Sequence, residues 1–289
     1  MPPTPPSYLI GLIGSGIGPS LSPALHEQEA DQHGLRLLYR ILDLDHLDLG
    51  ADDVGHLVHT ARRLGYDGLN ITHPGKQTVI PHLDDLSEDA SLLGAVNTVV
   101  FGPDGRARGH NTDWSGFATS FAHGLNNAPT RQVVQLGAGG AGTAVAHAML
   151  TLGAGQLTVV DTEAGRASSL AADLVTRFGP GRAAAASPEE LADLLATADG
   201  LVHATPMGMA HHPGLPLPAE LLHPRLWVAD VVYRPLDTEL LRQARALGCR
   251  TLDGGGMAVH QAAQAFRLFT GCEADADRML AHMATLVAA

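Results

Sequence analysis

The stretch Gln135-Leu136-Gly137-Ala138-Gly139-Gly140-Ala141-Gly142 decides how the second half of this chain folds. It follows a predicted strand, Val133–Leu136, and opens a predicted helix, Gly140–Leu152, which is the context in which a glycine pattern indicates a dinucleotide-binding turn. Glycines let the backbone approach a pyrophosphate, and the helix N-terminus offers N–H groups and a partial positive charge. We expect dinucleotide contacts from Gly137, Ala138, Gly139, Gly140 and Ala141. The alternative is a tight strand-to-helix turn without a ligand.

Asp161 follows the next predicted strand, Gln156–Val160, where an acidic residue binds the adenosine ribose in dinucleotide folds. A carboxylate there accepts hydrogen bonds from the 2′- and 3′-hydroxyls of NAD and repels the 2′-phosphate of NADP. The run Asp161-Thr162-Glu163-Ala164-Gly165-Arg166 is acidic, and Arg166 is its one cation, placed either to stack near the adenine or to cap a surface helix. The sequence therefore predicts NAD rather than NADP.

Short apolar strands alternate with helical stretches along the chain, which is typical of α/β layers with mostly parallel sheets. The further predicted strands are Tyr8–Ile13, Arg36–Ile41, Gly68–Ile71, Leu201–Ala204 and Trp227–Val231, with a hairpin of Val96–Phe101 and Ala107–His110 around Gly102-Pro103-Asp104-Gly105. The further predicted helices are Pro23–Gln32, Ala51–Leu64, Asp113–His123, Ala164–Phe178, Met257–Phe269 and Ala274–Leu286.

Three polar stretches in the first half carry the chemistry. They are Asn70-Ile71-Thr72-His73-Pro74-Gly75-Lys76, Gly94-Ala95-Val96-Asn97-Thr98 and Gly109-His110-Asn111-Thr112-Asp113. Their neutral donors and acceptors suit a polyhydroxylated carboxylic acid, which has little apolar area and must be oriented by many directed hydrogen bonds. Lys76 can act as general acid or base with Asp113 as its partner, and either of the two can dominate the proton transfer. A polyol site combined with a nicotinamide site predicts an alcohol dehydrogenase.

Ser22 precedes Pro23, and proline suits the first turn of a helix. One interpretation makes Ser22 a helix N-cap and nothing more. The other, favoured by the neighbouring motifs, uses the helix N-terminus to hold a substrate carboxylate beside the hydroxyls of Ser20 and Ser22. The preceding Gly14-Ser15-Gly16-Ile17-Gly18 is interpreted as a flexible turn rather than a nucleotide loop, because no acidic residue is expected at the required distance at the end of the following strand.

Composition narrows the class of protein. A chain of 289 residues fits two domains, and 45% hydrophobic with 17% charged residues describes a soluble protein. A net charge of −12 argues against a nucleic-acid partner. Cys249 and Cys272 are interpreted as ordinary thiols of a reducing compartment. We find no signal peptide, no membrane span and no metal-binding histidine motif, and expect a cytoplasmic protein without a metal.

From Ser20-Leu21-Ser22-Pro23 to Gln261-Ala262-Ala263-Gln264-Ala265-Phe266, the chain resembles the shikimate/quinate dehydrogenase family over nearly its whole length. The resemblance implies a substrate-binding α/β domain of residues 1–113, completed by residues 255–289, and a Rossmann-type dinucleotide domain of residues 114–254. It also implies an active-site cleft between the domains and reversible NAD(P)-dependent oxidation at the C3 hydroxyl of shikimate or quinate to the 3-dehydro acid. Two residues depart from the family pattern: His203 replaces a usual asparagine, and Gly255 stands where leucine is often found.

The resemblance also assigns roles to residues. The implied substrate-binding residues are Ser20, Ser22, Thr72, Asn97, Tyr233 and Gln261, and the implied catalytic pair is Lys76 and Asp113. Residues after predicted strand ends or at the last glycine stretch are expected near the nicotinamide: Thr205, Met207, Val231, Gly254 and Met257. Tyr233 beside Arg234-Pro235 is expected at an exposed tip with a usable hydroxyl.

Three other functions remain as rivals to an NAD-dependent quinate/shikimate dehydrogenase. They are an NADP-dependent shikimate dehydrogenase of aromatic amino-acid biosynthesis, a non-catalytic NAD-binding regulatory protein, and a related enzyme acting on folates. An enzyme acting on folates would give no role to Ser20, Ser22, Tyr233 and Gln261. The sequence leaves open the choice between quinate and shikimate, the physiological direction, and whether the protein is a monomer or a homodimer.

Overall fold

Two separate sheets are built mostly from apolar strands of four to eight residues. The structure is a computed structural model that describes residues 6–288. The chain divides into two compact units, Met1–Thr112 with Val259–Ala289 and Asp113–Ala258. The expected α/β class is confirmed, and each unit has its own six-stranded sheet. Among the described residues no helix combines the length and the apolar character that a membrane span requires.

The first unit begins with a parallel core of strands and gains its antiparallel part from a hairpin. Its elements are β1 (Ser7–Gly14), α1 (Ser22–Gln32), β2 (Arg36–Asp43), α2 (Val54–Arg63), β3 (Gly68–Ile71), α3 (Gly75–Thr78), β4 (Asp85–Leu86), α4 (Glu88–Leu93), β5 (Thr98–Phe101) and β6 (Ala107–His110). The strand order is β2-β1-β3-β5-β6-β4. The predicted hairpin is confirmed, and it makes β5 antiparallel to both of its neighbours.

The second unit has an entirely parallel sheet. Its elements are α5 (Asp113–Gly124), β7 (Gln132–Leu136), α6 (Gly140–Thr151), β8 (Gln156–Val160), α7 (Ala164–Phe178), β9 (Ala183–Ala186), α8 (Leu191–Thr197), β10 (Gly200–His203), β11 (Trp227–Asp230), α9 (Glu239–Ala246) and β12 (Arg250–Leu252). The order β12-β11-β10-β7-β8-β9 reverses direction between β7 and β10. Ligands of open parallel sheets bind beyond the carboxyl ends of the strands at such a switch point.

Two C-terminal helices complete the chain: α10 (Gly254–Thr270) and α11 (Ala276–Ala288). Residues of α10 from Val259 onward belong to the first unit, where Phe266 and Phe269 pack with Ile10 and Leu37 in a buried cluster. Gly68 makes this packing possible, because a Cβ at that position would lie 2.4 Å from the Phe269 ring.

Glu29 fixes the start of α11 to α1 within the first unit. Its side chain is 1% exposed and accepts hydrogen bonds from Arg278 at 2.6 and 2.9 Å and from the Asp275 N–H at 2.8 Å. Burial alone would raise the pKa of Glu29, but the hydrogen bonds from Arg278, Asp275 and His33 outweigh it and hold the pKa below its usual value.

We expect Glu29→Gln to lower the free energy of unfolding by about 2 kcal/mol at neutral pH, since hydrogen bonds to a charged partner are lost. A lowered folded-state pKa means that this contribution is complete above the pKa of the unfolded chain and is lost as pH falls through the folded value. Thermal unfolding of both proteins at neutral pH and at a pH well below the ordinary pKa of a glutamate checks this. A stability difference that stays constant or grows in acid would contradict the assignment.

Candidate functional site

Up to Thr112, the three polar motifs lie side by side in the first unit, joined by backbone hydrogen bonds. The Ile71 N–H donates to the Asn97 carbonyl at 2.8 Å, and the Asn97 N–H donates to the His110 carbonyl at 3.0 Å. The Val96 N–H donates to the Lys76 carbonyl at 2.8 Å. Segments that are distant in the sequence are therefore held at one end of β3.

Lys76 lies half-buried on α3, the short helix that follows β3. It is the only lysine among the 18 Lys and Arg residues of the chain. This matters because an arginine keeps its proton in proteins, whereas a lysine can release one when its surroundings favour the neutral amine. Gly75 lets α3 approach the sheet, since a Cβ there would lie 2.9 Å from the Ile71 side chain. The backbone of the only lysine is thus hydrogen-bonded to the segment that carries Asn97.

Asn97 is 3% exposed, and protein partners hold its carboxamide. Its Oδ1 accepts from the Thr112 N–H at 2.8 Å and from the Thr98 hydroxyl at 3.1 Å, and its Nδ2 donates to Thr112 Oγ1 at 3.0 Å. Gln261 Oε1 lies 3.5 Å from both Asn97 Nδ2 and Thr112 Oγ1. The structure therefore brings two of the expected substrate-binding residues, Asn97 and Gln261, together.

Asn70 and Tyr39 hold the Asn97 segment by buried hydrogen bonds, a role that was not predicted from the sequence. The buried Tyr39 hydroxyl donates to Asn70 Oδ1 at 2.7 Å. Asn70 Nδ2 then donates to Thr98 Oγ1 at 3.0 Å and to the Asn97 carbonyl at 3.2 Å. A signal was present, because Asn70 is an amide inside the fully buried strand β3. Its partners could not be read from the sequence.

Ser20 and Ser22 stand together at the start of α1. Ser20 Oγ accepts from the Ser22 N–H at 3.3 Å and donates to Ser22 Oγ at 3.2 Å. The interpretation of Ser22 as an N-cap is wrong, because Leu21 occupies the N-cap position and no side chain caps this helix. Both serines are half-buried and stand at the N-terminal end of the helix.

The glycine loop before this serine pair is held by Asp43, which ends β2. The Asp43 carboxylate accepts from the N–H groups of Gly16, Gly18 and Asp45 at 3.0, 3.0 and 3.1 Å. Burial would raise the pKa of Asp43, but these backbone donors outweigh it and lower the pKa. The expectation of a flexible turn without an acidic partner is therefore corrected. It arose because the predicted strand stopped at Ile41, two residues short of Asp43.

Thr72 lies against the same loop. Its Cγ2 would be 2.3 Å from a Cβ at Gly14, and its N–H donates to the Ile13 carbonyl at 2.9 Å. The Ser15 N–H donates to the His73 carbonyl at 2.9 Å. The segment that carries Thr72 and the loop that leads to the serines are therefore fixed to each other.

Asp113 and Tyr233 belong to the second unit. Asp113 is the first residue of α5 and is 7% exposed. Tyr233 follows β11 and is half-buried rather than at an exposed tip, which corrects the expectation for this side chain. Burial raises the pKa of the Tyr233 phenol although the charge of Arg234 acts in the opposite direction, so the hydroxyl keeps its proton at neutral pH.

The glycine turn of the second unit contains glycines of two kinds. A Cβ at Gly142 would lie 2.3 Å from the Gly137 carbonyl oxygen, and a Cβ at Gly137, whose φ is +100°, would lie 2.6 Å from the Ala204 carbonyl oxygen. Packing requires both of these. At Gly139, by contrast, a Cβ would meet nothing within 4 Å. Gly139 thus borders open space at the N-terminus of α6, which fits the close approach of a pyrophosphate.

Gln135 holds this turn, a role that was not predicted. The side chain is fully buried in β7, and its Nε2 donates to the carbonyls of Gly137 and Gly142 at 2.8 and 2.9 Å. One amide group therefore joins the two ends of the glycine stretch. The signal in the sequence is a polar residue inside the apolar strand Gln132–Leu136.

Asp161 lies half-buried directly after β8 and is tied to the glycine turn. Its Oδ2 accepts from the Ala138 N–H at 2.8 Å and its Oδ1 from the Glu163 N–H at 2.9 Å. An ionised carboxylate has about four lone-pair sites, so positions remain for ribose hydroxyls. The exposed Arg166 forms an ion pair with Glu163 at 2.8 Å. This donor and acceptor set fits the adenosine end of a nicotinamide dinucleotide.

The residues expected near the nicotinamide differ in exposure. Thr205 and Val231 are half-buried after β10 and β11, and Met207 is 39% exposed. Gly254 packs tightly, since a Cβ there would lie 2.3 Å from the Val231 carbonyl oxygen. Met257 is 9% exposed and belongs to the hydrophobic core of the second unit, so most of its side chain serves packing.

Comparisons with known proteins identify the family. The family model described as "Shikimate dehydrogenase substrate binding domain" matches residues 12–99. The family model described as "Shikimate 5'-dehydrogenase C-terminal domain" matches residues 254–283. A protein of Streptomyces avermitilis named shikimate dehydrogenase (NADP(+)) is 70% identical over 98% of this chain and 97% of its own length. One of Corynebacterium efficiens named quinate/shikimate dehydrogenase (NAD(+)) is 49% identical over 97% of this chain and 99% of its own length.

Solved structures agree with the sequence relatives. The quinate dehydrogenase of Corynebacterium glutamicum in complex with NAD superimposes with a TM-score of 0.91 at 48% identity, covering 96% of this chain and 99% of that one. The protein is therefore an oxidoreductase that uses a nicotinamide cofactor to act on a hydroxyl group of a small molecule. The chain belongs to the shikimate/quinate dehydrogenase family.

Proposed function

We propose that this protein catalyses the reversible NAD-dependent oxidation of the C3 hydroxyl of quinate, shikimate or both to the 3-dehydro acid. The observation that carries the proposal is the position of the one lysine of the chain, Lys76, whose carbonyl is bonded to the Asn97 segment. The names of relatives that are 49% to 70% identical over nearly the whole chain support the substrate class.

In this proposal Lys76 takes the proton of the C3 hydroxyl, with Asp113 as its partner. The nicotinamide ring, when bound, accepts the hydride that leaves C3. The hydroxyl loses its proton and C3 its hydride, which leaves the ketone of the 3-dehydro acid. In the reverse direction Lys76 returns the proton.

The remaining polar residues bind and orient the acid. The Ser20 and Ser22 hydroxyls, at the N-terminus of α1, hold its carboxylate. Thr72, Asn97, Tyr233 and Gln261 bind the ring hydroxyls. Tyr233 serves as a donor, because its raised pKa keeps the phenol protonated. Fixing the acid in one orientation supplies a large part of the acceleration.

We favour NAD because Asp161 directly follows β8, the position from which an acidic residue binds the adenosine ribose and repels a 2′-phosphate. Arg166, the cation of this segment, already has Glu163 as its partner at 2.8 Å. NADP is the second candidate, favoured by the Streptomyces avermitilis relative, whose name specifies NADP(+).

We expect Asp161→Asn to lower kcat/KM with NAD by about 10-fold or more, since a charge-assisted hydrogen bond contributes roughly 1.5–3 kcal/mol. Activity with NADP should fall less or rise, because the repulsion of its 2′-phosphate is relieved. Steady-state kinetics with each dinucleotide measure the ratio, and Thr162→Ala, at the exposed neighbour, is the matched control. An unchanged NAD to NADP ratio in Asp161→Asn would contradict the assignment.

The reaction itself is tested by incubating the protein with shikimate or quinate and a nicotinamide dinucleotide and identifying the product by mass spectrometry. We expect a product that has lost two hydrogens and gives the NMR spectrum of the 3-dehydro acid. Reduced cofactor formed without this product, or no reduced cofactor with either acid, would refute the proposal.

A further inference from the structure

A buried chain of side chains in the second unit leads to Thr205 and takes no part in the chemistry described above. His203 is the last residue of β10 and Asp230 the last of β11, and the two are direct partners in the register of these parallel strands. Both side chains are fully buried. His203 Nδ1 lies 2.9 Å from Asp230 Oδ1, and His203 Nε2 lies 2.5 Å from Thr205 Oγ1.

With Asp230 as a carboxylate and His203 as a neutral imidazole, the contacts of Asp230 decide which nitrogen of His203 carries the hydrogen. Its carboxylate also accepts from the Val232 N–H at 3.0 Å and from the Thr238 hydroxyl at 2.7 Å. An ionised carboxylate can only accept, so the third contact requires a donor, and Nδ1 of His203 must bear a hydrogen. In the neutral imidazole the other nitrogen, Nε2, is then an acceptor.

This tautomer in turn fixes the hydroxyl of Thr205. Because Nε2 accepts, the Thr205 O–H donates to it and points inward. Thr205 Oγ1 also accepts from the Met207 N–H at 3.3 Å. A hydroxyl oxygen has two lone pairs, so one remains, and the half-buried Thr205 offers an acceptor rather than a donor.

Thr205 lies where this acceptor can meet a ligand. It follows β10 at the point where the order of the sheet reverses, beside β7. Its Cγ2 would lie 2.9 Å from a Cβ at Gly137, so it packs against the glycine turn. At a switch point beyond the carboxyl ends of parallel strands, an acceptor of fixed orientation pairs with a ligand group that donates a hydrogen bond, as the carboxamide N–H of a nicotinamide does.

We propose that His203, held by Asp230 and Thr238, is a positioning residue that orients Thr205 to accept a hydrogen bond from the carboxamide N–H of the nicotinamide. The inference rests on the proposed function and adds to it a specificity for the carboxamide group of the cofactor. The site recognises the amide group of the cofactor, and His203 acts only through Thr205. Replacement of either side chain removes the same hydrogen bond.

Direct binding titrations test this, using NAD and its 3-acetylpyridine analogue, whose methyl ketone has no N–H. The variants are His203→Phe, Thr205→Val and the double variant, with Thr205→Ser as the control that keeps the hydroxyl. We expect each single variant to weaken NAD binding by about 5- to 10-fold, as the loss of one hydrogen bond predicts, and to leave analogue binding unchanged. The double variant should bind NAD no more weakly than Thr205→Val.

Additive losses in the double variant, or equal losses with NAD and the analogue, would overturn the inference and leave His203 a merely structural residue. If His203→Phe does not fold, His203→Asn replaces it, since the shorter amide still reaches Asp230 but not Thr205. It should weaken NAD binding in the same non-additive way. Because binding is measured without substrate, failure of the proposed oxidation would show separately, as absent turnover in the unmodified protein.

Discussion

Replacing Lys76 with alanine is expected to lower kcat by about 100- to 10,000-fold, the usual contribution of a positioned acid or base. The effect on substrate affinity should be smaller, because the serine pair and the Asn97 network that would hold the acid remain. The physical reason is that no other side-chain amine exists in the chain to take the proton. Steady-state kinetics and a separate measurement of substrate binding check the two effects.

Lys76→Arg is the informative control. It keeps the positive charge, but a guanidinium does not release its proton in proteins. We therefore expect Lys76→Arg to lose turnover as Lys76→Ala does. Recovery of most of the activity in Lys76→Arg would show that the charge alone matters, and turnover similar to that of the unmodified protein in Lys76→Ala would exclude Lys76 as acid or base.

The single lysine also permits a chemical version of this experiment. An amine-selective acylating reagent has Lys76 as its only side-chain target. We expect acylation of Lys76, located by peptide mapping, to abolish turnover. We also expect bound shikimate or quinate to slow the acylation reaction. Full activity after complete acylation of Lys76 would contradict the assigned role.

Replacing Gly139 with alanine is expected to impair dinucleotide binding while leaving the fold intact. A Cβ at Gly139 would meet nothing within 4 Å, and its φ of −77° is open to any residue. The added methyl group would therefore occupy only the open space that we assign to the pyrophosphate. We expect the cofactor KM to rise about 10-fold or more, equivalent to about 1.4 kcal/mol, with little change in melting temperature.

Gly142→Ala is the matched comparison. Its Cβ would lie 2.3 Å from the Gly137 carbonyl oxygen, so the backbone of the turn must move. We expect a loss of about 1–3 kcal/mol in unfolding free energy, as overpacking usually causes, together with weaker cofactor binding. Dinucleotide affinity in Gly139→Ala equal to that of the unmodified protein would refute the assignment of this turn to the pyrophosphate.

The elements with a strong apolar pattern could be predicted from the sequence. The strands Gly68–Ile71 and Gln156–Val160 and the helix Ala164–Phe178 have the expected bounds. Short or weakly patterned elements were missed. The strand Ala183–Ala186 consists of alanines, which lack the β-branched character that indicates a strand, and the helix Gly75–Thr78 has only one turn.

The sequence indicated the candidate catalytic and binding residues better than the residues that position them by hydrogen bonds. Lys76 and Asp161 could be proposed from their positions after strands, because strand ends gather at one edge of a sheet. Tyr39 and Asp43 could not. Their roles depend on partners such as Asn70, which lies 31 residues from Tyr39 in the chain. No local pattern encodes such a contact.

The most direct test of the account is the oxidation of shikimate and of quinate, each with NAD and with NADP, followed by the absorbance of the reduced cofactor. We expect turnover of at least one acid with NAD, at a higher kcat/KM than with NADP, and loss of that turnover in Lys76→Ala. Turnover with NADP alone would refute the role of Asp161 in cofactor choice. No turnover in any of the four combinations would contradict the proposed reaction itself.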